Sequence, residues 1–422
     1  MVWSLILDSP SSYSSGDGAL RDITRTFDKV DLHNPLLSAP FPANTMRIDP
    51  RTKEAIDIAF ENIKKFHKHQ KMEQISVETM PGILCEKTYR PIEKVGLYIP
   101  GGSAGMSLVG RCGLGLSTLV LPSTSLMLAI PAMLAGVKEI IIATPPRSDR
   151  NVCPEVVYVA HKCGVKHILR AGGAQAIAAL SYGTENIPKV DKIFGPGNQY
   201  VTMAKVIVAS DVDARVAIDM PAGPSEVLVV ADESSNPEFV VWDLLSQAEH
   251  GHDSQVIAVF VSVSESYMTT FFEILDDAIA NLPRIDIVME SIKHARILYV
   301  NDYKTAIKVS NMYAPEHLIL NMDSEKARSL VPFVEHAGSV FVGSYTPESL
   351  GDYASGTNHC LPTYGYARMY GGVSTDSFMK GMSIQEANAE GLTNVGWVVE
   401  ELAEVEGLYA HKNAVTVRLN TL

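Results

Sequence analysis

The most constraining feature of this chain is a regular alternation of short β-branched runs with amphipathic helical segments, which starts at Pro91. The alternation first predicts the strand Val95–Ile99, which ends at Pro100-Gly101-Gly102. The strands predicted next are Glu139–Ala143, His167–Arg170 and Lys192–Phe194, with helices Ser123–Ala135, Glu155–Cys163 and Ala174–Ser181 between them. Because such alternation is built from βαβ crossovers, it predicts a parallel sheet.

A second α/β series begins at Ser225 and continues to a loop at Tyr345. Its predicted strands are Glu226–Ala231, Gln255–Val261, Arg296–Val300, His317–Leu320 and Ser339–Val342, and its predicted helices are Glu238–His250, Ser266–Leu282, Lys304–Tyr313 and Glu325–His336. After Gly372 the pattern becomes helical and ends in a polar, partly extended tail, Ala410–Leu422. Because this tail is too small for a core of its own, we expect it to dock on another surface.

Composition limits the classes of partner. The length of 422 residues favours two or more packed units, and the net charge of -13, spread along the chain, argues against binding a polyanion such as nucleic acid. No apolar run reaches the roughly 18 residues of a membrane span, and the first ten residues lack the features of a secretory signal. We therefore expect a cytoplasmic protein that acts on a small molecule and binds no membrane.

The five cysteines are widely spaced and include no CxxC pair. This distribution is unlike a disulfide framework or a thiolate zinc site, so we interpret the cysteines as structural thiols. Any metal in this protein should depend on His, carboxylate and amide ligands.

Glycine-rich turns follow three strands of the first series, at Gly101-Gly102, Gly172-Gly173 and Gly195-Pro196-Gly197. Ligands of open α/β sheets bind where strand ends meet helix N-termini, so these turns are candidate nucleotide contacts. None of them forms a G-x-G-x-x-G motif, and glycines after strands are more often ordinary turn residues than ligand contacts. Their recurrence on successive strands favours a ligand site.

Two short motifs of the second series carry candidate ligands and proton-transfer groups. Gln247 and His250 are three residues apart at a helix end, which places both side chains on one face where they could share an ion. The alternative for His250 is a cap of the last helical turn beside Gly251. Glu316 and His317 precede a strand after a helix-stopping proline, and such a pair suits acid–base chemistry if a bend turns both side chains together.

The densest polar segment is the predicted loop Tyr345–His359. Its Asp352 and His359 could supply an oxygen and a nitrogen ligand to one site, since long polar loops of this kind are usually functional or disordered. His411 lies in the C-terminal tail, where the simple interpretation is a solvated surface residue.

Taken together, these segments resemble the histidinol dehydrogenase family. Several of them look most like the dehydrogenase portion of fungal multifunctional histidine-biosynthesis proteins. The resemblance runs from about Asp17 to Leu422 and rests on Val95–Gly102, Ala171–Ala178, Phe194–Val201, Asp219–Val229, Leu244–Gln255, Ala314–Leu320, Ser339–Tyr366 and Gly407–Arg418. It implies oxidation of L-histidinol through the aldehyde to L-histidine, with two NAD per turnover and one zinc ion per subunit.

The resemblance also implies roles for individual residues. It implies that zinc is held by Gln247, His250 and Asp352, with His411 supplied by the partner of a homodimer. It gives His317 the role of base for the alcohol and Glu316 that of activating water on the aldehyde. The implied substrate contacts are the four zinc ligands with Ser225, His317, His359 and Glu406, and the implied NAD contacts are Tyr98, Pro100, Gln175 and Asn198.

The family layout implies two incomplete Rossmann-like domains and an exchanged tail in an intertwined homodimer. The first domain would combine residues 1–97 and 225–372, the NAD-contacting domain would span 98–224, and the dimer-exchanged tail would span 373–422.

Two segments depart from the family pattern. Residues 105–119, inside the loop after Tyr98 and Pro100, form an insert that the family lacks. Our hypothesis is that this insert is a retained intron, because Gly105-Met106-Ser107 can be encoded by a common fungal intron start, and sequencing the transcript tests it. Residues 1–16 also fall outside the resemblance, which we interpret as an incorrect gene model or as part of a larger protein.

Three alternatives to an active histidinol dehydrogenase remain open from the sequence. The insert favours a catalytically impaired relative with a binding or assembly role. Metal, carboxylate and water also describe a zinc hydrolase with Glu316 as general base. An unrelated amino alcohol could be the substrate. The complete set of polar site residues argues against the first, and Tyr98, Gln175 and Asn198 argue for NAD rather than hydrolysis.

Overall fold

The structure, a computed structural model, describes residues 16–70, 72–101 and 121–422. The predicted insert 105–119 lies outside these residues. In chain order the strands are β1 (Leu36–Ser38), β2 (Ile75–Met80), β3 (Ile83–Pro91), β4 (Lys94–Tyr98), β5 (Glu139–Thr144), β6 (His167–Arg170), β7 (Lys192–Phe194), β8 (Ala217–Ile218), β9 (Glu226–Asp232), β10 (Gln255–Val261), β11 (Arg296–Val300), β12 (His317–Asn321), β13 (Ser339–Val342) and β14 (Met379–Ala387).

The helices alternate with the strands over most of the described chain. They are α1 (Gly16–Phe27), α2 (Pro50–Lys68), α3 (Pro122–Ala135), α4 (Pro154–Lys162), α5 (Gly173–Tyr182), α6 (Gln199–Ser210), α7 (Pro237–Ala248), α8 (Glu265–Asn281), α9 (Ile285–Ile292), α10 (Tyr303–Tyr313), α11 (Ser324–Leu330), α12 (Glu348–Tyr353), α13 (Ala389–Val405) and α14 (Tyr409–Leu419). No helix in the described part of the chain is long and apolar enough to cross a membrane.

Two largely parallel sheets form the centre of the fold and confirm the predicted α/β class. The first has the order β1-β6-β5-β4-β7-β8, in which only the β1–β6 pairing is antiparallel. The second has the order β11-β10-β9-β12-β13, with every neighbouring pair parallel. Strands such as β9 are buried along their whole length, which explains why continuous apolar runs predicted them correctly.

Each sheet has apolar helices on both faces. In the first sheet, α2, α3 and α4 cover one face and α1, α5 and α6 cover the other. In the second, α7, α8 and α9 pack on one face and α10 and α11 on the other. Burial of both faces removes most of the apolar surface of the strands from water, which is the main stabilising contribution to such a fold.

A third sheet was not predicted. It is antiparallel, with the order β14-β3-β2, and it joins the hairpin β2–β3 to a strand from near the C-terminus. Most residues of β2 and β14 are exposed, so these strands lack the buried face that produces a hydrophobic period of two.

Three predictions for the second half of the chain need correction. Residues 345–359 are not simply a loop, because they contain helix α12, and the predicted helix Glu325–His336 ends early, at Leu330. The expected extended tail Ala410–Leu422 is mostly helix α14, which packs on α13. The two helices approach each other closely at Gly396 of α13, where an added Cβ would lie 2.9 Å from Cδ1 of Leu419 in α14. The composition of the tail is polar because most of this hairpin is exposed.

The predicted domain boundaries stay a prediction. Strand β1 and all of β4 except Tyr98 come from the segment 1–97, which we expected to join 225–372, yet both strands pair with strands of 98–224. Helix α2 of the same segment packs on α3 in the core of the first sheet.

Candidate active site

The polar residues of the second sheet collect at the edge where its strands begin. Ser225 directly precedes β9, and Glu316 directly precedes β12, whose first residue is His317. Open α/β sheets usually bind ligands at the carboxyl ends of their strands. The chemistry-bearing groups of this sheet therefore lie at the edge opposite to the usual one.

A bend turns Glu316 and His317 toward the same neighbour. Ala314 ends helix α10 in the left-handed conformation, with φ 58°. Oε2 of Glu316 then accepts a hydrogen bond from the backbone N–H of Glu226 at 2.8 Å, and Nδ1 of His317 lies 3.0 Å from the carbonyl oxygen of Glu226. Because a carbonyl oxygen only accepts hydrogen bonds, Nδ1 carries the proton in this contact. Nε2 of His317 is then the nitrogen that can accept a proton.

Three carboxylates surround the buried ring of His317. Nδ1 lies 3.7 Å from Glu316 Oε2 and 3.9 Å from Glu348 Oε2, while Nε2 lies 3.6 Å from Asp352 Oδ1. Burial opposes protonation of His317, but these negative charges raise its pKa to about 10. Burial also raises the pKa of Glu316 to about 7 and that of Glu348 to about 8. So many carboxyl groups in one buried site favour a cation.

Helix α12 supplies two of these carboxylates. Glu348 and Asp352 are four residues apart, so they lie on the same face of this helix. Burial would raise the pKa of Asp352, but the close approach of His317 Nε2, 3.6 Å from Oδ1, and the positive charges of nearby histidines lower it below its usual value. Asp352 is therefore the ionised oxygen donor of the group.

The amide of Gln247 has a fixed orientation. Gln247 is fully buried in the last turn of α7, and with its amide nitrogen facing Glu348, Nε2 lies 3.0 Å from both carboxylate oxygens. Ser246 Oγ donates a second hydrogen bond, of 2.9 Å, to Oε1 of Glu348. Because Nε2 is engaged with Glu348, Oε1 of Gln247 remains as a possible metal ligand.

The donor set fits zinc. One atom each from His250, Glu348 and Asp352 can be chosen so that all three lie within 4.8 Å of one another, the only such group of His, Cys, Asp and Glu found in the described residues. Nε2 of His317 is a buried nitrogen without a hydrogen-bond partner beside this group. Zinc accepts mixed nitrogen and oxygen ligands of this kind. Of the predicted ligands, the structure thus brings together Gln247, His250 and Asp352.

His359 connects this group with the first sheet. Its Nδ1 lies 2.9 Å from the carbonyl oxygen of Asp352, and its Nε2 lies 3.2 Å from Oγ1 of Thr124, in the first turn of α3. The neighbouring Asn358 donates a hydrogen bond of 2.6 Å to the carbonyl oxygen of Met127 in the same helix. The amino edge of the second sheet therefore faces the region that follows strand β4 of the first.

Two other residues predicted for the zinc and substrate site lie elsewhere in the chain. Glu406 directly follows α13, and His411 lies in α14; both are exposed. His411 is not a member of the metal-competent group that the described residues form. Within one chain, these two residues are not assembled into the site.

The predicted NAD contacts lie along the carboxyl edge of the first sheet. Tyr98 ends β4, and Pro100 follows it; Asn198 follows β7 and caps α6. The Tyr98 hydroxyl accepts a hydrogen bond of 2.9 Å from the backbone N–H of Gly173, at the start of α5. An added Cβ at Gly173 would lie 2.6 Å from Oε1 of Gln175, so this turn and side chain are in close proximity.

The close spacing of these turns depends on glycine. Gly195 has φ 116°, and an added Cβ there would lie 2.2 Å from the carbonyl oxygen of Tyr98. The turns that follow β4, β6 and β7 thus form one continuous edge, as required for a dinucleotide that lies across strand ends.

Sequence reasoning missed two residues that organise the site. Glu226 holds both Glu316 and His317 through its backbone, and burial raises the pKa of its side chain to about 7. Glu348 holds the amide of Gln247. The spacing of four residues between Glu348 and Asp352 could have identified the latter contact if a helix had been predicted there.

The fold and the site define an α/β protein with a metal-competent His/carboxylate group opposite a nucleotide-type sheet edge. The histidinol dehydrogenase family model matches residues 13–419. This chain belongs to the histidinol dehydrogenase family.

Curated relatives and a solved structure share most of the chain. The histidine biosynthesis trifunctional protein of Komagataella pastoris is 53% identical over 97% of this chain, and the chloroplastic histidinol dehydrogenase of Arabidopsis thaliana is 52% identical over 97% of this chain and 84% of its own length. The crystal structure of histidinol dehydrogenase from Elizabethkingia anophelis superposes with a TM-score of 0.88 at 44% identity, covering 100% of this chain and 92% of that one.

The chain spans only part of several of these relatives. It covers 46% of the trifunctional protein of Komagataella pastoris, 50% of that of Kluyveromyces lactis and 49% of that of Saccharomyces cerevisiae.

Proposed function

We propose that this chain oxidises L-histidinol to L-histidine with NAD as the oxidant. The observation that carries the proposal is the buried His317, whose Nε2 has no hydrogen-bond partner and lies 3.6 Å from Oδ1 of Asp352 in the His250/Glu348/Asp352 group. Membership in the histidinol dehydrogenase family supports the choice of substrate and reaction.

Zinc would be held by Gln247, His250 and Asp352 of one subunit and by His411 of the partner subunit. When bound, zinc supplies a positive charge that grips the imidazole and amine of the substrate and fixes their orientation. Glu348 would not bind the zinc itself but would orient the amide of its ligand Gln247.

His317 acts as the base in the first oxidation. Its Nδ1–H is directed to the carbonyl oxygen of Glu226. Zinc, when bound, would offset the negative charges that raise the pKa of His317, which leaves Nε2 free to take the proton of the substrate hydroxyl. NAD, when bound, supplies the hydride acceptor for both oxidation steps. Glu316 then removes a proton from the water that attacks the aldehyde, and its hydrogen bond to the Glu226 backbone keeps one carboxylate oxygen fixed during this step.

The remaining contacts surround these groups. Ser225, His359 and Glu406 contribute to substrate binding, and Tyr98, Pro100, Gln175 and Asn198 contact NAD. The hydrogen bond of His359 to Thr124 supports this arrangement, since it brings the substrate side close to the NAD-contacting edge. A homodimer would supply His411 from the tail of the partner subunit.

The decisive experiment measures NADH formation by purified, zinc-loaded protein given L-histidinol, with L-histidine identified as the product. A matched variant lacking residues 105–119 is measured beside it. Activity in both proteins would support the proposal and make the insert a tolerated segment. Activity only in the deletion variant would support the family function and the intron hypothesis.

A catalytically impaired relative is the second candidate, because the insert interrupts the loop that follows Tyr98 and Pro100. Absence of NADH formation from both folded, zinc-containing proteins would support this alternative. A zinc hydrolase would turn over its substrate without an NAD-dependent absorbance change, so the same assay distinguishes it.

A further inference from the structure

A buried ion pair lies directly beneath the carboxyl edge of the first sheet. Lys205, on the inner face of α6, pairs with Asp219, just after β8, and the side chains of both are only 4% exposed. Lys205 Nζ donates a hydrogen bond of 2.8 Å to the carbonyl oxygen of Gly195, and Asp219 Oδ2 accepts one of 2.7 Å from the N–H of Gly195. The pair therefore holds Gly195 through both of its backbone polar groups.

Stability alone does not explain this arrangement. Removing two charges from water costs free energy that their attraction often fails to offset, so a buried ion pair is by itself weak evidence for a stabilising role. Besides a bond from the Met220 N–H to Asp219 Oδ1, the additional hydrogen bonds go to one glycine in a left-handed conformation that no side chain could occupy, since a Cβ would meet the carbonyl oxygen of Tyr98. The ion pair specifies the backbone conformation at that position.

The conformation of Gly195 determines where Asn198 is presented. Between them lie only Pro196, whose ring fixes its φ, and Gly197, where an added Cβ would lie 2.4 Å from Cγ1 of Val201. Oδ1 of Asn198 accepts hydrogen bonds from the N–H groups of Tyr200 and Val201, at 3.1 Å each. Its amide nitrogen is therefore the part of this side chain that can donate to a ligand.

We infer that Lys205 and Asp219 are positioning residues for NAD, which hold the Gly195–Asn198 turn in its binding conformation without themselves touching the dinucleotide. This inference rests on the proposed function. It predicts that replacing the pair weakens NAD binding while the zinc site and the L-histidinol site remain intact.

The test replaces both charges together, as Lys205→Met/Asp219→Leu, so that no unpaired charge stays buried. The matched control is Lys94→Met/Glu139→Leu, which removes a 3.3 Å ion pair at the opposite edge of the same sheet. The dissociation constant for NADH is measured by fluorescence titration on zinc-loaded protein, together with zinc content, melting temperature and the KM values for NAD and L-histidinol.

In the first variant only, we expect the affinity for NADH to fall by about tenfold or more and the KM for NAD to rise. The KM for L-histidinol and the zinc content should stay unchanged. Equal affinity in both double variants and the wild type would overturn the inference and leave the proposed function standing. A folded wild type that binds no NADH would overturn both. If the first variant fails to fold, Lys205→Met/Asp219→Asn replaces it, which also leaves no unpaired charge and keeps an oxygen that can accept from the Gly195 N–H. An unchanged affinity there also refutes the inference.

Discussion

At the scale of single residues, the backbone of Glu226 organises the reacting groups. Its N–H donates to Glu316 and its carbonyl oxygen accepts from His317, so one residue fixes both the carboxylate and the ring tautomer. The sequence identified the acid–base pair but not this partner, because a backbone contact between two parallel strands leaves no trace in either segment alone.

Replacing Glu316 with Gln tests the role of this carboxylate. The Gln side-chain oxygen can still accept from the Glu226 N–H, so the fold should persist while the general base is lost. We expect kcat for oxidation of the aldehyde to fall by about 10²- to 10⁴-fold with little change in melting temperature. Glu325→Gln on the exposed face of α11 is the control, and a Glu316→Gln enzyme with wild-type kcat would exclude Glu316 as the base.

Asp28 gives a prediction for pH dependence. Burial raises its pKa from 3.8 to about 6, despite a hydrogen bond from the Gly172 backbone. Because the folded pKa is higher than the unfolded one, the stabilising contribution of this group is complete below pH 3.8 and is lost as the pH rises to about 6.

Asp28→Asn stays neutral and keeps a hydrogen-bond acceptor, so it should be more stable than the wild type above this window, by on the order of 1 kcal/mol. Urea unfolding at pH values on both sides of the window measures the difference, with exposed Asp31→Asn as the control. A constant difference at all pH values would contradict the assignment.

At the scale of elements, most strands of the two largely parallel sheets were predictable because central strands such as β5 and β9 are short apolar runs buried on both faces. The three- and two-residue edge strands β1 and β8 were not predicted, because they are too short and too exposed to give such a pattern. Helix α12 was not, because Gly351, the flanking Pro347 and several polar residues in six positions are typical of a loop. Packing rather than propensity forms this helix: an added Cβ at Gly351 would lie 2.7 Å from the ring of Phe341. The sequence therefore predicted Asp352 without the helix that pairs it with Glu348.

Helix α12 gives a prediction about metal affinity. Glu348→Gln keeps one oxygen that can accept from the Gln247 amide but replaces the other with an NH₂ group that faces the Gln247 donor. The orientation of Gln247 is then less well fixed, so we expect zinc to bind about 10- to 100-fold more weakly. Competition with a chelator measures the affinity, and Glu325→Gln is again the control. Unchanged zinc affinity would mean that Glu348 does not orient Gln247 in the metal-bound protein.

At the scale of the whole molecule, His411 is separated from the other proposed zinc ligands in a single chain. The sequence pattern alone gave His411 no role; the family resemblance did. An exposed helical hairpin carrying Trp397, Leu402 and Val405, each more than half exposed, is consistent with a surface that another subunit covers.

Subunit exchange tests this arrangement. Glu316→Gln and His411→Asn should each be inactive alone, but a mixed dimer has one site with an intact Glu316 and an intact His411 from the other subunit. We expect refolding of an equimolar mixture to restore about a quarter of wild-type activity. Absence of recovery, with mixed dimers verified by mass, would contradict a shared site.

The third sheet has a consequence for the order in which this protein assembles during synthesis. The hairpin β2–β3 leaves the ribosome before either parallel sheet, whereas its partner β14 is made after both of them. Until then the long edge of β3 has no strand to pair with and is a template for pairing with other chains. Aggregation of nascent chains should therefore be greatest when translation stalls between β13 and β14.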